Sequence, residues 1–329
     1  MNNPPVTAVV CVYNGKEFVE SCINSLLAQT YPLTFIVVVD DGSTDGTAET
    51  LQKFCENKKI KIHRNKRNLG LSTSRNIGAG MADPEIVAYT DADSIVREDW
   101  IEELIKPFFA EEKVEIVGGR IENPGPKTYW ELVAWDTEFL SRHSGYSKRY
   151  PMAIGCNMAV SRKFLLENPF DETLKYGGED VDLCYRTLRQ GRKIYYQHSA
   201  VVTHRHRNTF LALAKQRFAW GVSDSYVRFK NRLLLPLPLK TLVLAASVMS
   251  FFLSAHYGYF RIFGFIFLAA FLGRTLQLEL KSDKKDFIQA LVSFPGRSLI
   301  AAIHSAGHIY GLFAFFFNIR RHGEADIIL

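Results

Sequence analysis

The chain has 329 residues, 47% of them hydrophobic, with 40 Lys and Arg against 34 Asp and Glu and a formal net charge of +6. Its five cysteines (Cys11, Cys22, Cys55, Cys156, Cys184) lack Cys-x-x-Cys spacing, which excludes a disulfide framework and a zinc site and points to reduced thiols in a cytosolic compartment. The basic residues gather at Arg228, Lys230 and Arg232, at Lys281, Lys284 and Lys285, and at Arg320 and Arg321, each group flanking an apolar segment, so no nucleic-acid partner is expected. No charged stretch followed by an apolar one opens the chain, and no cleaved leader is expected.

In chain order, residues 6–12 (VTAVVCV) predict a strand buried on both faces, ending in Tyr13-Asn14-Gly15. A helix is predicted from about residue 16 to 29, stopped ahead of Pro32. A second strand over 34–39 ends on Asp40-Asp41-Gly42-Ser43-Thr44-Asp45, whose side chains suit the cap of a helix beginning near Thr47. Two consecutive carboxylates exceed what a cap needs, and a carboxylate is the natural acceptor for a uracil or guanine N–H. After a third strand over 59–63, a helix starting within 68–78 carries Arg75, whose guanidinium suits a diphosphate or a surface ion pair equally. The apolar run that begins at Glu85 stops on Asp91 and Asp93, two positions apart and able to turn toward one hard cation; oxygen ligation suits Mg²⁺ or Mn²⁺. Alternating strands and helices predict an α/β fold with a doubly wound, mainly parallel sheet, whose ligands gather beyond the strand carboxyl ends, where Asn14, Asp40 and Asp91 lie. Further on, Glu179 and Asp180 open a helix reaching about residue 190, suited either to the helix dipole or to general-base work. His204 follows a short apolar strand, as a third metal ligand or a structural histidine.

Val-Tyr-Asn-Gly (12–15), Val-Asp-Asp-Gly-Ser-Thr-Asp-Gly-Thr (39–47), Asn-Leu-Gly…Ser-Arg-Asn-Ile-Gly (68–78), Thr-Asp-Ala-Asp (90–93), Gly-Cys-Asn-Met-Ala-Val-Ser-Arg (155–162), Phe-Asp-Glu (170–172) and Gly-Gly-Glu-Asp-Val-Asp-Leu-Cys-Tyr-Arg (177–186) together resemble the family-2 inverting glycosyltransferases of GT-A fold, in order and spacing, over roughly the first 220 residues. The resemblance implies a UDP- or GDP-sugar donor bound around Val12, Tyr13, Asn14, Asp40, Arg75 and Asp91, with Asp40 on the base. It implies a Mn²⁺ or Mg²⁺ ion on Asp91 and Asp93, with His204 as a further ligand, and Asp180 as the catalytic base. Asn157 and Glu179 fall on the acceptor side of that scheme, and Gln216 and Trp220 resemble part of the Gln-x-x-Arg-Trp motif of processive synthases. Ala219 stands where that motif has arginine, which counts against processive polymerisation.

The last hundred residues predict an all-α transmembrane or interfacial domain over 231–329, following a catalytic domain over 1–230. A helical hairpin is predicted at about 233–255 and 259–276, with both ends cytosolic by the count of flanking Lys and Arg, hence a multi-pass cell-membrane protein with its catalytic domain in the cytosol. A third apolar segment, about 287–319, is expected to break at Pro295-Gly296, to span, re-enter or lie on the membrane, and to present Arg297, His304 and His308 from one face, either toward the phosphate of a lipid-linked acceptor or as the polar stripe of an amphipathic helix facing headgroups. Two rival readings are a sugar-nucleotide pyrophosphorylase, which lacks support because no Gly-rich basic loop follows the first strand, and a non-catalytic membrane scaffold.

Overall fold

The computed structural model describes residues 4–83, 85–122, 124–135, 153–174, 177–232, 237–280 and 286–316. They fall into two units, the described residues of Met1–Pro124 and Arg142–Arg205, and those of Gly125–Ser141 and His206–Leu329. The helix over Phe210–Lys230, on the catalytic side of the boundary expected at residue 230, therefore belongs to the second unit.

In the first unit, β1 (Val6–Val12), β2 (Phe35–Asp40) and β4 (Ile86–Asp91) are the apolar runs expected from the sequence, and β3 (Ile60–Arg64), IKIHR, is the third short strand expected. Alternate residues feed two cores. Val6, Ala8 and Val10 meet α1 (Val19–Leu27) and α4 (Trp100–Ala110) on one face, while Val9, Val37 and Val39 meet α3 (Leu71–Met81) on the other. Burial on both faces is why β1, β2 and β4 read as continuous apolar runs. The short helix α2 (Thr47–Gln52) follows β2.

The remaining strands are β5 (Ser94–Val96), β6 (Val114–Glu122), β7 (Met158–Ser161) and β8 (Lys193–His204), in a sheet ordered β3-β2-β1-β4-β7-β6-β8-β5. The β1–β2, β2–β3, β1–β4 and β6–β8 pairs are parallel. The β4–β7, β6–β7 and β5–β8 pairs are antiparallel, so the sheet is mixed beyond β4. Two helices flank the site from this half, α6 (Arg162–Glu167) and α7 (Glu179–Arg189).

The second unit contains α5 (Tyr129–Trp135), α8 (Phe210–Lys230), α9 (Leu239–Leu253), α10 (Phe260–Leu280) and α11 (Phe287–Phe316). The predicted break at Pro295-Gly296 does not occur, because α11 runs through it as one 30-residue helix. Proline removes one backbone donor, and the adjacent Gly296 N–H turns to the Tyr129 hydroxyl at 3.1 Å. Glycine is required there, since a Cβ would stand 2.7 Å from both Tyr129 Oη and Val133 Cγ2. The α8–α11 contact is equally close: a Cβ at Gly221 would lie 2.2 Å from the His304 carbonyl, and one at Gly307 2.2 Å from that of Phe218. Small residues at such crossings let helix backbones touch.

Among the described residues α10 is the one helix long and apolar enough to cross a membrane. The predicted first span is shorter than expected: α9 has 15 residues, a length of about 22 Å against a hydrocarbon core of about 30 Å. Val248, Phe252, Ile262, Phe265, Ile288 and Val292 leave a broad apolar surface exposed on α9, α10 and α11.

Candidate functional site

The first two strand ends are laced together by their turns. Asn14, at φ 52°, donates its N–H to Ser43 Oγ (2.9 Å) and accepts the Thr44 N–H on Oδ1 (2.8 Å). Gly15 N–H reaches Thr47 Oγ1 at 3.0 Å. The neighbouring aspartates have separate tasks. Asp41 accepts from Asn65 Nδ2 and the Leu69 N–H on one oxygen (both 2.8 Å) and from the Gly70 N–H on the other (2.9 Å), clamping the turn that opens α3. Asp40 is fully buried and accepts the Ser43 N–H on Oδ1 at 2.9 Å. Its Oδ2 lies 3.2 Å from Arg64 Nε, out of line for a hydrogen bond, and is left without one. Asp41 is therefore structural, and Asp40 keeps an open acceptor. Val12 is buried and Tyr13 is about half exposed beside that turn.

Arg75 lies at the centre of the cluster and is not a surface residue: it is 2% exposed. Gly78, one turn on, lets α3 lie against β1, since a Cβ there would be 2.3 Å from Val9 Cγ1. The guanidinium bridges two carboxylates, Asp91 Oδ1 at 3.2 Å through Nη2 and Glu179 Oε1 through Nη1. Gly155 backs it so closely that any Cβ there would overlap the guanidinium. Burial lifts Glu179 to about 7, opposed by Arg75 and reinforced by Asp180, and its Oε2 has no hydrogen-bond partner. Burial also raises Asp91, against the pull of Arg75.

Sheet register delivers the metal-type donors. Ser94 stands opposite His204 where β5 pairs with β8, so the imidazole arrives beside the Asp-x-Asp turn. His204 Nε2 is 3.2 Å from Asp93 Oδ1 and 3.8 Å from Asp91 Oδ2. Cys156 joins Asp91 and His204 as a group whose donor atoms lie within 4.8 Å of one another. Burial pushes the Cys156 thiol well up, and a protonated thiol is a poor ligand. Two carboxylates and an imidazole fit Mn²⁺ well and Mg²⁺ acceptably; the buried sulfur fits neither as a ligand.

Asp180, in the first turn of α7, accepts the Gly155 N–H on Oδ2 at 2.9 Å and the Val181 N–H on Oδ1 at 2.7 Å. It joins Glu179 and Asp91 in bearing electrostatically on Arg75. Asn157 has another role than the acceptor contact expected of it. Fully buried, it accepts from Trp100 Nε1 (2.8 Å) and donates to the carbonyls of Arg120 (2.9 Å) and Ala200 (3.0 Å), tying α4, β6 and β8 together. Asn157→Leu should lower stability by about 3 kcal/mol, because it strands three buried polar groups; a melting temperature within a degree or so of the parent would refute this.

Gln216, Trp220 and Arg297 belong to the second unit. Arg297 does not face outward as predicted: its Nε meets Glu279 Oε1 at 3.2 Å. His308 likewise meets Asp224 Oδ2 at 2.8 Å and is fully buried. Ionisable groups on an apolar bundle are costly without partners, and here the partners come from α10 and α8. Sequence reasoning passed over Gly155 and Cys156 as site residues, although both lie in the quoted Gly-Cys-Asn motif.

A sheet of this order, with two aspartates and a histidine at the carboxyl end of β4, defines a GT-A-like fold. The mannosyltransferase PcManGT of Pyrobaculum calidifontis, solved with GDP-Man and Mn²⁺, superposes with a TM-score of 0.61 at 19% identity over 97% of this chain and 88% of its own. Residues 7–167 match the profile of Glycosyl transferase family 2, and the chain carries a domain of that family. An uncharacterized glycosyltransferase of Haemophilus influenzae is 37% identical over 37% of this chain, an alignment spanning 38% of that protein. The glucosyl-dolichyl phosphate glucuronosyltransferase of Haloferax volcanii is 27% identical over 67% of this chain and 74% of its own length.

Proposed function

We propose that the chain is a membrane-anchored, metal-dependent inverting glycosyltransferase that moves a sugar from a UDP- or GDP-sugar to a lipid-linked acceptor. The observation that carries this is the convergence of Asp91, Asp93, His204, Arg75, Glu179 and Asp180 at the carboxyl end of β4. Asp40, with its open buried oxygen, accepts a base N–H, and Asn14 and Tyr13 line the nucleotide. Asp91, Asp93 and His204 would hold the divalent ion, which supplies charge neutralisation on the diphosphate. Arg75 already bridges two carboxylates, so its part is to fix Asp91 and Glu179 in place. Asp180 takes the proton from the acceptor hydroxyl as that oxygen bonds to the anomeric carbon, while the nucleoside diphosphate leaves from the opposite face with the bonding pair.

The membrane part of the reading rests on α10, on the exposed apolar surface of the second unit and on the flanking basic residues. The Haloferax relative is named for a glucosyl-dolichyl phosphate, which supports an acceptor carried on a polyprenyl-type lipid. The catalytic domain then lies on the cytosolic side of a multi-pass cell-membrane protein. With Mn²⁺ present, one class of UDP- or GDP-sugar should raise the melting temperature, because a ligand that binds only the folded state stabilises it. Asp93→Ala should abolish the Mn²⁺-dependent part of that shift and the transfer activity with it. Transfer that persists at full rate in excess EDTA would sink the metal assignment, and the absence of any shift across both nucleotide classes would sink the donor assignment.

A further inference from the structure

Three donors of different chemistry meet at the carboxyl end of β4. One donor atom each of Asp91, His204 and Cys156 lies within 4.8 Å of the other two. They come from separate elements: Asp91 ends β4, His204 ends β8, and Cys156 stands two residues before β7. Cys-x-x-Cys spacing, the usual mark of a zinc site, is absent, and a site assembled across the sheet leaves no such mark in the sequence.

The turn that carries the thiol is held on both sides. The Cys156 carbonyl accepts the Thr90 hydroxyl at 3.0 Å, one residue ahead of Asp91, and the Gly155 N–H donates to Asp180 Oδ2 at 2.9 Å. The Asn157 N–H returns to the Ile154 carbonyl at 2.8 Å and closes the turn. Cys156 is 5% exposed, so its sulfur is a fixed interior donor beside the site. Asp93 is outside this group, although its Oδ1 lies 3.2 Å from His204 Nε2. Two donor sets therefore overlap, one of carboxylates and imidazole, the other with sulfur in place of Asp93. Hard ions favour the first, and thiolate selects zinc-like ions for the second. A tetrahedral Zn²⁺ holds its donors roughly 3.3–3.6 Å apart, and His204 Nε2 already stands 3.8 Å from Asp91 Oδ2.

We propose that Asp91, His204 and Cys156 form a second metal site, which takes a thiophilic divalent ion such as Zn²⁺ or Cd²⁺ with one water as fourth ligand, and whose occupation excludes a Mn²⁺-type ion from Asp91, Asp93 and His204. As the sulfur–metal bond forms, the Cys156 proton passes to solvent, because a coordinated thiol is deprotonated. The site rests on these three donors alone; only the competition rests on the metal-dependent transferase reading.

The test uses the full chain, stripped of metal with EDTA and exchanged into chelator-free buffer. Cd²⁺ is added while the ultraviolet charge-transfer band of its bond to sulfur is followed, and Zn²⁺ and Mn²⁺ affinities are measured by calorimetry. One equivalent of Cd²⁺ should saturate the band. Cys156→Ser should abolish it and weaken Zn²⁺ binding at least tenfold, since even the outer-shell partners of a metal ligand are worth roughly 10–100-fold in affinity. Cys156→Ala, which puts no polar group in the buried position, carries the same expectation. Cys55→Ser removes the exposed thiol and should leave the band as it is. Asp93→Ala should keep the band while losing Mn²⁺ affinity, the opposite of Cys156→Ser. Zn²⁺ should raise the apparent Mn²⁺ dissociation constant of the parent far more than that of Cys156→Ser. No band in the parent, a band that survives both Cys156 variants, or a band lost equally in Asp93→Ala would overturn the proposal. A parent that gives the Cys156-dependent band yet binds no Mn²⁺ would support the sulfur site and overturn the competition together with the metal-dependent reading.

Discussion

Replacing Asp180 by asparagine should slow transfer by roughly 10²–10⁴-fold, the usual contribution of a general base, while donor affinity stays within about twofold of the parent. The substitution conserves volume in a buried site, and the amide oxygen can still accept the Gly155 N–H now held at 2.9 Å. It cannot also accept the Val181 N–H, so a small loss of stability is expected alongside. What changes chemically is the capacity to take a proton. Donor affinity from calorimetry with Mn²⁺ and a non-hydrolysable sugar nucleotide, set beside the turnover number, separates the two roles. Equal losses in affinity and turnover would make Asp180 a nucleotide-binding residue and remove the base from the proposed reaction.

The parts of this architecture legible in the sequence are those where one local pattern has one structural solution. Strands β1, β2 and β4 are buried on both faces, so each reads as a nearly uninterrupted apolar run, and the polar residues that end them mark the ligand edge. Strand β6 carries Glu115, Arg120 and two glycines, and β7 has only four residues. Their places depend on partners distant in sequence: Gly119 must lack a side chain because the Asn157 amide would lie about 2.5 Å from its Cβ. A polar residue in a motif also does not disclose whether it faces a ligand or the core. Asp40 and Asp41 are chemically identical neighbours, yet one is saturated by three donors and the other keeps an oxygen open.

The same limit governs the helical unit. The spacing of Arg297, His304 and His308 correctly puts them on related turns of one helix, but their counter-ions, Glu279 and Asp224, sit on two other helices. Pairing across helices is decided by packing distance, which the close Gly221 and Gly307 crossing sets and which periodicity alone does not reveal. Arg217, on α8, is likewise placed by packing, buried over the Trp220 ring, where periodicity alone shows no partner.

Arg75→Met should be the most destabilising single substitution in the first unit, by about 3–5 kcal/mol near pH 8, because it leaves Glu179 and Asp91 facing each other without their shared cation. The sign of its pH dependence follows from Glu179, whose folded pKa is already lifted to about 7 from 4.5. Without the guanidinium that opposes the lift, the folded state binds this proton still more tightly than the unfolded chain does. Stability then rises as pH falls through the folded value and levels off near the unfolded one, since the folded state takes up the proton first. The deficit of Arg75→Met against the parent should therefore shrink between pH 8 and about 5, when followed by urea denaturation at each pH. Adding Glu179→Gln to Arg75→Met should remove much of both the deficit and its slope, because a neutral amide needs no counter-charge. A deficit that stays constant with pH, or a double variant no more stable than Arg75→Met, would show that Arg75 acts through packing under Gly155 rather than through charge.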